Sequence, residues 1–141
     1  MRAKNVSAKR RGTLAAQASE QCGYCQAKEE FIGMPLHIEH IIPRIAGGSS
    51  DEDNLWLAYP SCNLHKGIRT HARDQLTRRR IRLFNPRKQR WKRHFEWTED
   101  GTIILGRTAC GRVTVDALQM NNSRLVTARR RWRLGGWNPM E

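Results

Sequence analysis

The sequence is poor in acidic residues and has no long apolar run. Among its 141 residues, 13 Asp and Glu are outnumbered by 26 Lys and Arg, so the formal net charge is +13. No stretch approaches the roughly 18 consecutive apolar residues of a membrane span. The basic start, MRAKNVSAKRRGT, lacks the apolar segment of a secretory signal. These absences argue against membrane and secreted classes, and we expect a cytosolic, cytoplasmic protein with no membrane partner.

Cysteine is also scarce, with four in the chain. Cytosolic thiols stay reduced, so these cysteines indicate metal ligands or free thiols rather than disulfides. Cys22 and Cys25 form a Cys-x-x-Cys knuckle, whereas Cys110 lies far from the other three in the sequence and is expected to be a free thiol.

Positive charge is concentrated in the second half of the chain. Residues 1–65 hold 7 basic and 7 acidic residues, whereas residues 66–141 hold 19 basic and 6 acidic ones. Arginine predominates over lysine, 20 to 6, and its planar fork of donors suits phosphate. A surface that serves only solubility normally mixes both signs. The block of charge therefore predicts a nucleic-acid partner.

The pattern of the first half predicts strand, loop, strand and helix in close succession. Residues 36–42 alternate and are rich in Ile, residues 44–53 have turn chemistry, and residues 55–59 form a second apolar run. A helix is expected from Pro60 towards residue 70, and a shorter one over residues 13–21.

The second half is predicted to extend and cover the first. We expect an extended basic segment over residues 78–84, a hairpin joining 94–97 to 102–105, and helices over 113–120 and 123–134. The fold class is therefore α+β. We divide the chain into a flexible basic arm (1–12), a core (13–75) and a basic extension packed on that core (76–141).

Residues able to do chemistry concentrate in the strand, loop, strand and helix unit: His37, Glu39, His40, Asn54, Asn63 and His65. On an extended strand Glu39 and His40 point to opposite faces. Oxygen ligands of this kind suit Mg²⁺ or Mn²⁺, and a neutral imidazole can take a proton from water. The set contains the groups needed to hydrolyse a phosphodiester, although a carboxylate beside a histidine is also common on ordinary surfaces.

Three motifs, CGYC, EHIIPRIAGGSSDEDNL and CNLHKG, in this order and spacing, resemble the HNH endonuclease family. The downstream stretches LFNPRKQRWKRHFEW and GRTACGRVTVDAL resemble the Arg/Trp-rich C-terminal extension of one bacterial HNH group. The resemblance spans roughly residues 20–138. It implies a ββα-metal core with a C-terminal extension of hairpin and helices, and it implies metal-dependent hydrolysis of DNA.

Carried over by position, the resemblance implies a role for each residue of the motifs. His40 would be the general base, and Glu39 and Asn63 would bind the catalytic Mg²⁺ or Mn²⁺. Asn54 would orient the loop and the histidine, and Lys66 would stabilise charge at the phosphate.

The second cysteine pair departs from the family pattern. Many HNH proteins bind a structural Zn²⁺ through two Cys-x-x-Cys pairs, but here Tyr59 stands three residues before Cys62. His65 is the natural substitute, since it follows Cys62 by three on the helix. The predicted zinc set is therefore Cys22, Cys25, Cys62 and His65, and the alternative is that zinc is absent and the thiols pack as small apolar groups.

The basic extension is expected to hold DNA, most simply double-stranded DNA, by its phosphates. The residues assigned to this contact are Arg78, Arg79, Arg80, Arg82, Arg87, Lys88 and Arg90. The function predicted is an endonuclease that nicks DNA. Two alternatives stay open: a non-catalytic nucleic-acid-binding module, and the nuclease subunit of a larger assembly, with a homodimer as one way to cut both strands.

Overall fold

The computed structural model describes residues 7–140 and begins with helix α1, Ala8–Gln17. Ser7 caps this helix, since its Oγ accepts a hydrogen bond from the Arg10 amide at 3.1 Å. Buried Leu14 anchors the helix. Helix α1 therefore starts five residues earlier than expected, and residues 8–12 of the predicted flexible arm are helical. Residues 1–6 of that arm lie outside the described residues.

A β-hairpin followed by a helix forms the centre of the first half. Strand β1 (His37–His40) pairs antiparallel with β2 (Leu55–Ala58), with His40 opposite Leu55, and helix α3 (Pro60–Lys66) follows. Proline at the first helical position suits this start, because its missing N–H has no helical partner there. The α+β class and the ββα core are confirmed.

The hairpin connection contains more structure than the sequence indicated. Two short 3-10 turns, Arg44–Ala46 and Glu52–Asn54, interrupt the loop, and a four-residue helix α2 (Glu29–Ile32) precedes β1. Strand β1 ends at His40 rather than at residue 42, because the chain turns away at Pro43 into the first 3-10 turn.

The second half contains two further antiparallel hairpins and three helices. The elements are β3 (His71–Arg73), β4 (Arg80–Arg82), α4 (Trp91–His94), β5 (Phe95–Trp97), β6 (Ile104–Gly106), α5 (Ala109–Ala117) and α6 (Ser123–Leu134). Helix α6 has the predicted bounds, with Asn122 Oδ1 accepting from the Leu125 amide at 3.0 Å. Helix α5 starts four residues earlier than predicted, because Thr108 caps it.

Both halves contribute to one buried apolar cluster. Leu55 and Leu57 of β2 belong to it together with Phe84, Phe95 and Ile104 of the extension. Burying each such side chain favours folding by about 1.5–3 kcal/mol, so the ββα unit and the extension stabilise each other. Among the helices of residues 7–140, none combines the length and apolar character required to cross a membrane.

Candidate active site and thiol cluster

His40 lies at the end of β1, half-buried, with its Nε2 3.1 Å from the hydroxyl of Ser50. Partial burial lowers the pKa of His40, and the nearby charges of Arg44 and Lys66 lower it further. The imidazole is therefore neutral at cellular pH, which is the form that accepts a proton. Ser50 was not foreseen from the sequence, because the path of a ten-residue loop cannot be derived from local pattern.

Asn54 fastens the loop that carries Ser50. Its Nδ2 donates to the carbonyls of Ile42 at 3.0 Å and Ser49 at 2.8 Å, and its Oδ1 accepts from the Ile42 amide at 2.9 Å. A Cβ on Gly48 would lie 1.7 Å from the Ile42 carbonyl oxygen, so only glycine fits there. This buried amide therefore fixes the loop against the end of β1, next to His40.

Glu39 faces the interior and forms an ion pair with Lys66. Its Oε1 lies 2.9 Å from Lys66 Nζ, and the two side chains are 2% and 3% exposed. Lys66 Nζ also donates to the carbonyls of Ile41 at 2.7 Å and His40 at 3.3 Å. Burial raises the pKa of Glu39, against the opposing effects of Lys66 and the Tyr24 hydroxyl beside it. All three donors of the ammonium group are thus used to hold the end of β1.

Glu39 and Asn63, the residues predicted to bind Mg²⁺ or Mn²⁺, both carry oxygen donors. Both oxygens of Glu39 are buried without a well-aligned hydrogen bond, and Asn63 is half-buried on α3, which packs on β1. A carboxylate and an amide are oxygen ligands that Mg²⁺ or Mn²⁺ accepts, with water and phosphate completing the shell. His37 is exposed on the same strand.

Three cysteines converge behind the ββα unit. The sulfur atoms of Cys22, Cys25 and Cys62 lie within 4.8 Å of one another and all three residues are buried. Burial raises the pKa of Cys22 to about 12. Burial also acts to raise the pKa of Cys25. Hydrogen bonds from Cys22 and Cys62, together with the charge of Arg129, outweigh burial and lower the pKa of Cys25 well below its usual value.

His65 does not join the thiols, which corrects the predicted four-residue zinc set. Its Nδ1 lies 2.8 Å from the carbonyl of Ser61, one turn earlier in α3. A spacing of three places Cys62 and His65 on neighbouring parts of the helix surface, but the side-chain torsions of His65 direct the ring back along its own helix. Three thiols still fit three positions of a tetrahedral zinc.

Arg129 of α6 is completely buried and its charge acts on this cluster, as the lowered pKa of Cys25 shows. Its guanidinium donates to the carbonyls of Thr102 and Met120 and to Asn121 Oδ1. All of these acceptors are neutral, and Cys25, whose pKa is lowered, is the thiol whose ionised form would balance the buried positive charge. No local sequence signal distinguishes Arg129 from its neighbours Arg130 and Arg131.

The basic residues assigned to DNA differ in their surroundings. Arg87 donates to the Leu55 carbonyl at 3.2 Å and to Gln17 at 2.9 Å, and its guanidinium lies over the ring of Trp56. Arg87 therefore links the extension to the core. The others are exposed: Arg78, Arg79, Arg80, Arg82, Lys88 and Arg90.

A histidine at the end of the first strand, an asparagine in the connection and an asparagine on the helix lie in one ββα unit. Residues 22–69 match the family model described as HNH endonuclease. The chain therefore carries an HNH endonuclease domain, and the recognition based on its motifs is confirmed. This match suggests nuclease activity on nucleic acid. In the same comparisons, no curated protein and no solved structure matched the chain.

Proposed function

We propose that the protein is a metal-dependent endonuclease that nicks DNA, with His40 as general base. The observation that carries the proposal is the half-buried imidazole of His40, which has a lowered pKa and is oriented by Ser50 within the HNH domain. A non-catalytic module would have no need for a base held in this state, so the geometry favours the enzyme.

In the proposed reaction, His40 takes a proton from the attacking water. Glu39 and Asn63 would hold the divalent metal, which would supply Lewis-acid stabilisation of the developing negative charge. Asn54 keeps the loop of Ser50 in place, and Ser50 orients the imidazole. The products carry 5′-phosphate and 3′-hydroxyl ends.

For Lys66 we propose a positioning role in place of the direct phosphate contact implied by the resemblance. Lys66 is 2% exposed, and its ammonium group already contacts Glu39, Ile41 and His40. Lys66 therefore sets the position of the strand end that carries the base and of the carboxylate beside it.

We propose that the substrate is double-stranded DNA held by its phosphates. Six of the seven basic residues assigned to this contact are exposed. They lie in a part of the sequence that has few acidic residues. Contacts of this kind give affinity without reading the bases.

The test of the proposed function is incubation of purified protein with supercoiled plasmid in Mg²⁺, Mn²⁺ or EDTA. The expected result is conversion to the nicked circle with metal and no conversion in EDTA. A metal-supplied wild-type protein that binds the plasmid without cutting it would favour the non-catalytic module instead.

A further inference from the structure

The β3–β4 hairpin carries four basic side chains on one of its faces. Its register places His71 opposite Arg82 and Arg73 opposite Arg80. Because side chains alternate along a strand, these four residues share one face, which we call the basic face. Ala72 and Ile81, the third pair, point to the other face and pack against the apolar core.

The basic face keeps its charge. The ion pairs found within residues 7–140 join Glu39 to Lys66, Glu96 to Arg107 and Asp74 to Arg112, and none includes a residue of the basic face. Like charges directly opposite each other on a hairpin are destabilising. Arg73 and Arg80 therefore repel each other in the free protein, and an anion between them would relieve that repulsion.

The hairpin is held firmly in this arrangement. Arg112 of α5 donates from Nε and from one terminal nitrogen to the two oxygens of buried Asp74, at 3.1 and 3.0 Å. Asp74 also accepts from the Thr77 hydroxyl and amide, which closes the turn. Helix α5 packs along both strands, so the repelling arginines have little freedom to move apart.

One end of the basic face borders a cavity that is also lined by residues next to His40 in the chain. The cavity has a volume of about 220 Å³, with His71 and Arg82 on one side and Ile41 and Ile42 on another. These isoleucines directly follow His40 in the chain, and Lys66 also lines the cavity. Buried Leu83 and Phe84 give it an apolar wall. Cationic and apolar walls together suit one nucleotide unit, whose phosphate is anionic and whose sugar and base are largely apolar on their faces.

We propose that the basic face is a track for one nucleic-acid backbone, and that the cavity at its end takes the nucleotide next to the cleaved bond. Arg73 and Arg80 hold one phosphate, and His71 and Arg82 hold the next one towards His40. The orientation of the track towards His40 rests on the proposed function. The binding of a nucleic-acid backbone to the basic face does not depend on cleavage. The proposal adds His71 and Arg73 to the predicted DNA contacts. Arg78 and Arg79 lie in the turn before β4 and are not part of the basic face.

The test uses the triple variant Arg73→Ala, Arg80→Ala, Arg82→Ala and a matched control, Arg124→Ala, Arg130→Ala, Arg131→Ala, which removes the same charge from exposed positions of α6. Affinity for a short DNA duplex is measured in EDTA at several salt concentrations. Each neutralised phosphate contributes about 0.9 to the log–log salt slope, so the track variant, which loses its contacts with two phosphates, should lose up to about two units of slope and the control less than one.

Thermal unfolding without DNA separates a track from a structural role. Removing like charges that face each other should leave the Tm of the track variant equal to that of the wild type or higher. A track variant that keeps the wild-type slope, or that matches the control, would overturn the proposal, and so would a clear fall in Tm that accompanies the weaker binding.

A cleavage measurement tests which end of the track lies towards His40. At saturating DNA with metal, Arg82→Ala should slow cleavage more than Arg73→Ala, because Arg82 lies at the cavity. Equal rates would overturn the placement beside His40. A wild-type protein that shows the predicted slope change but never cuts would instead contradict the proposed function and leave the binding track in place.

Discussion

Basic residues behave differently in the HNH domain and in the extension. Lys66 of the HNH domain is buried and each of its donors has a partner. Arg79, Arg80 and Arg82 of the extension are exposed, and none is in an ion pair within the part of the chain that the structure describes. Burial and partners, rather than residue type, therefore separate a cation that builds a site from one that is available to bind phosphate.

Carboxylates show the same contrast. Burial raises the pKa of Glu39 although Lys66 is beside it. The Arg112 guanidinium, with the help of Thr77, holds the pKa of Asp74 well below its usual range. Glu39 is thus a buried carboxyl beside a buried cation, whereas Asp74 is committed to holding the hairpin.

The largest effect is expected from His40→Ala. Loss of a general base should slow metal-dependent nicking by about 10²–10⁴-fold, while affinity for DNA changes little because a neutral ring is removed. Ser50→Ala keeps the base and should cost less. In the wild type the cleavage rate should rise with pH through an inflection below pH 6.5 and then level off, since the pKa of His40 is lowered. A His40→Ala protein that cuts normally would refute the assignment.

Lys66→Met should destabilise the fold as well as inactivate the enzyme. Removing one partner of a buried ion pair typically costs about 3–5 kcal/mol, measurable as the free energy of unfolding in urea. Lys88→Met removes the same group from an exposed position and is the control. Similar losses in the two variants would show that the Glu39–Lys66 pair does not organise the site.

The thiol cluster gives the next prediction. We propose that it holds about one zinc per chain, that the net negative charge of three thiolates and Zn²⁺ is balanced by Arg129, and that a ligand other than His65 completes the site. Cys62→Ser should lose the zinc and lower the Tm, His65→Ala should keep both, and Tyr59→Cys should tighten binding by supplying a fourth thiol. Elemental analysis of the purified variants tests the predicted zinc contents. A wild-type protein that folds without zinc would contradict the zinc site.

The smallest effect concerns the hairpin anchor and depends on pH. The pKa of Asp74 is lowered in the folded protein, so its pair with Arg112 stabilises fully above the unfolded pKa of about 3.9, and this contribution declines as pH falls from there through the lower folded pKa. Arg112→Met should therefore lower the Tm at pH 7 more than at pH 3. Arg107→Met breaks a half-exposed pair with Glu96 and should change little at either pH. Equal losses at the two pH values would contradict this account.

Local pattern was enough to predict some elements. The alternation of His37–His40, the proline that starts α3 and the cap at Asn122 are local signals, and the ββα core and α6 follow from them. The β3–β4 pairing was not predicted, because its short strands are largely arginine and carry little apolar alternation.

The parts of the site that were missed depend on long-range contacts. Arg129 approaches cysteines that lie more than sixty residues away in the chain, and Arg112 reaches Asp74 across 38 residues. The position of the His65 ring could not be predicted, because helical spacing fixes the direction of Cβ and leaves the side-chain torsions free.

The central claim is that the HNH domain cleaves DNA and the extension binds it. The most direct test compares His40→Ala with the triple variant Arg78→Ala, Arg79→Ala, Arg80→Ala, measuring the cleavage rate at saturating DNA and the affinity in EDTA on two unrelated duplexes. We predict that His40→Ala binds both duplexes as the wild type does and does not cut. The arginine variant should cut at close to the wild-type rate once saturated, but bind both duplexes more weakly by the same factor. Loss of binding in His40→Ala, or loss of the saturated rate in the arginine variant, would contradict the account.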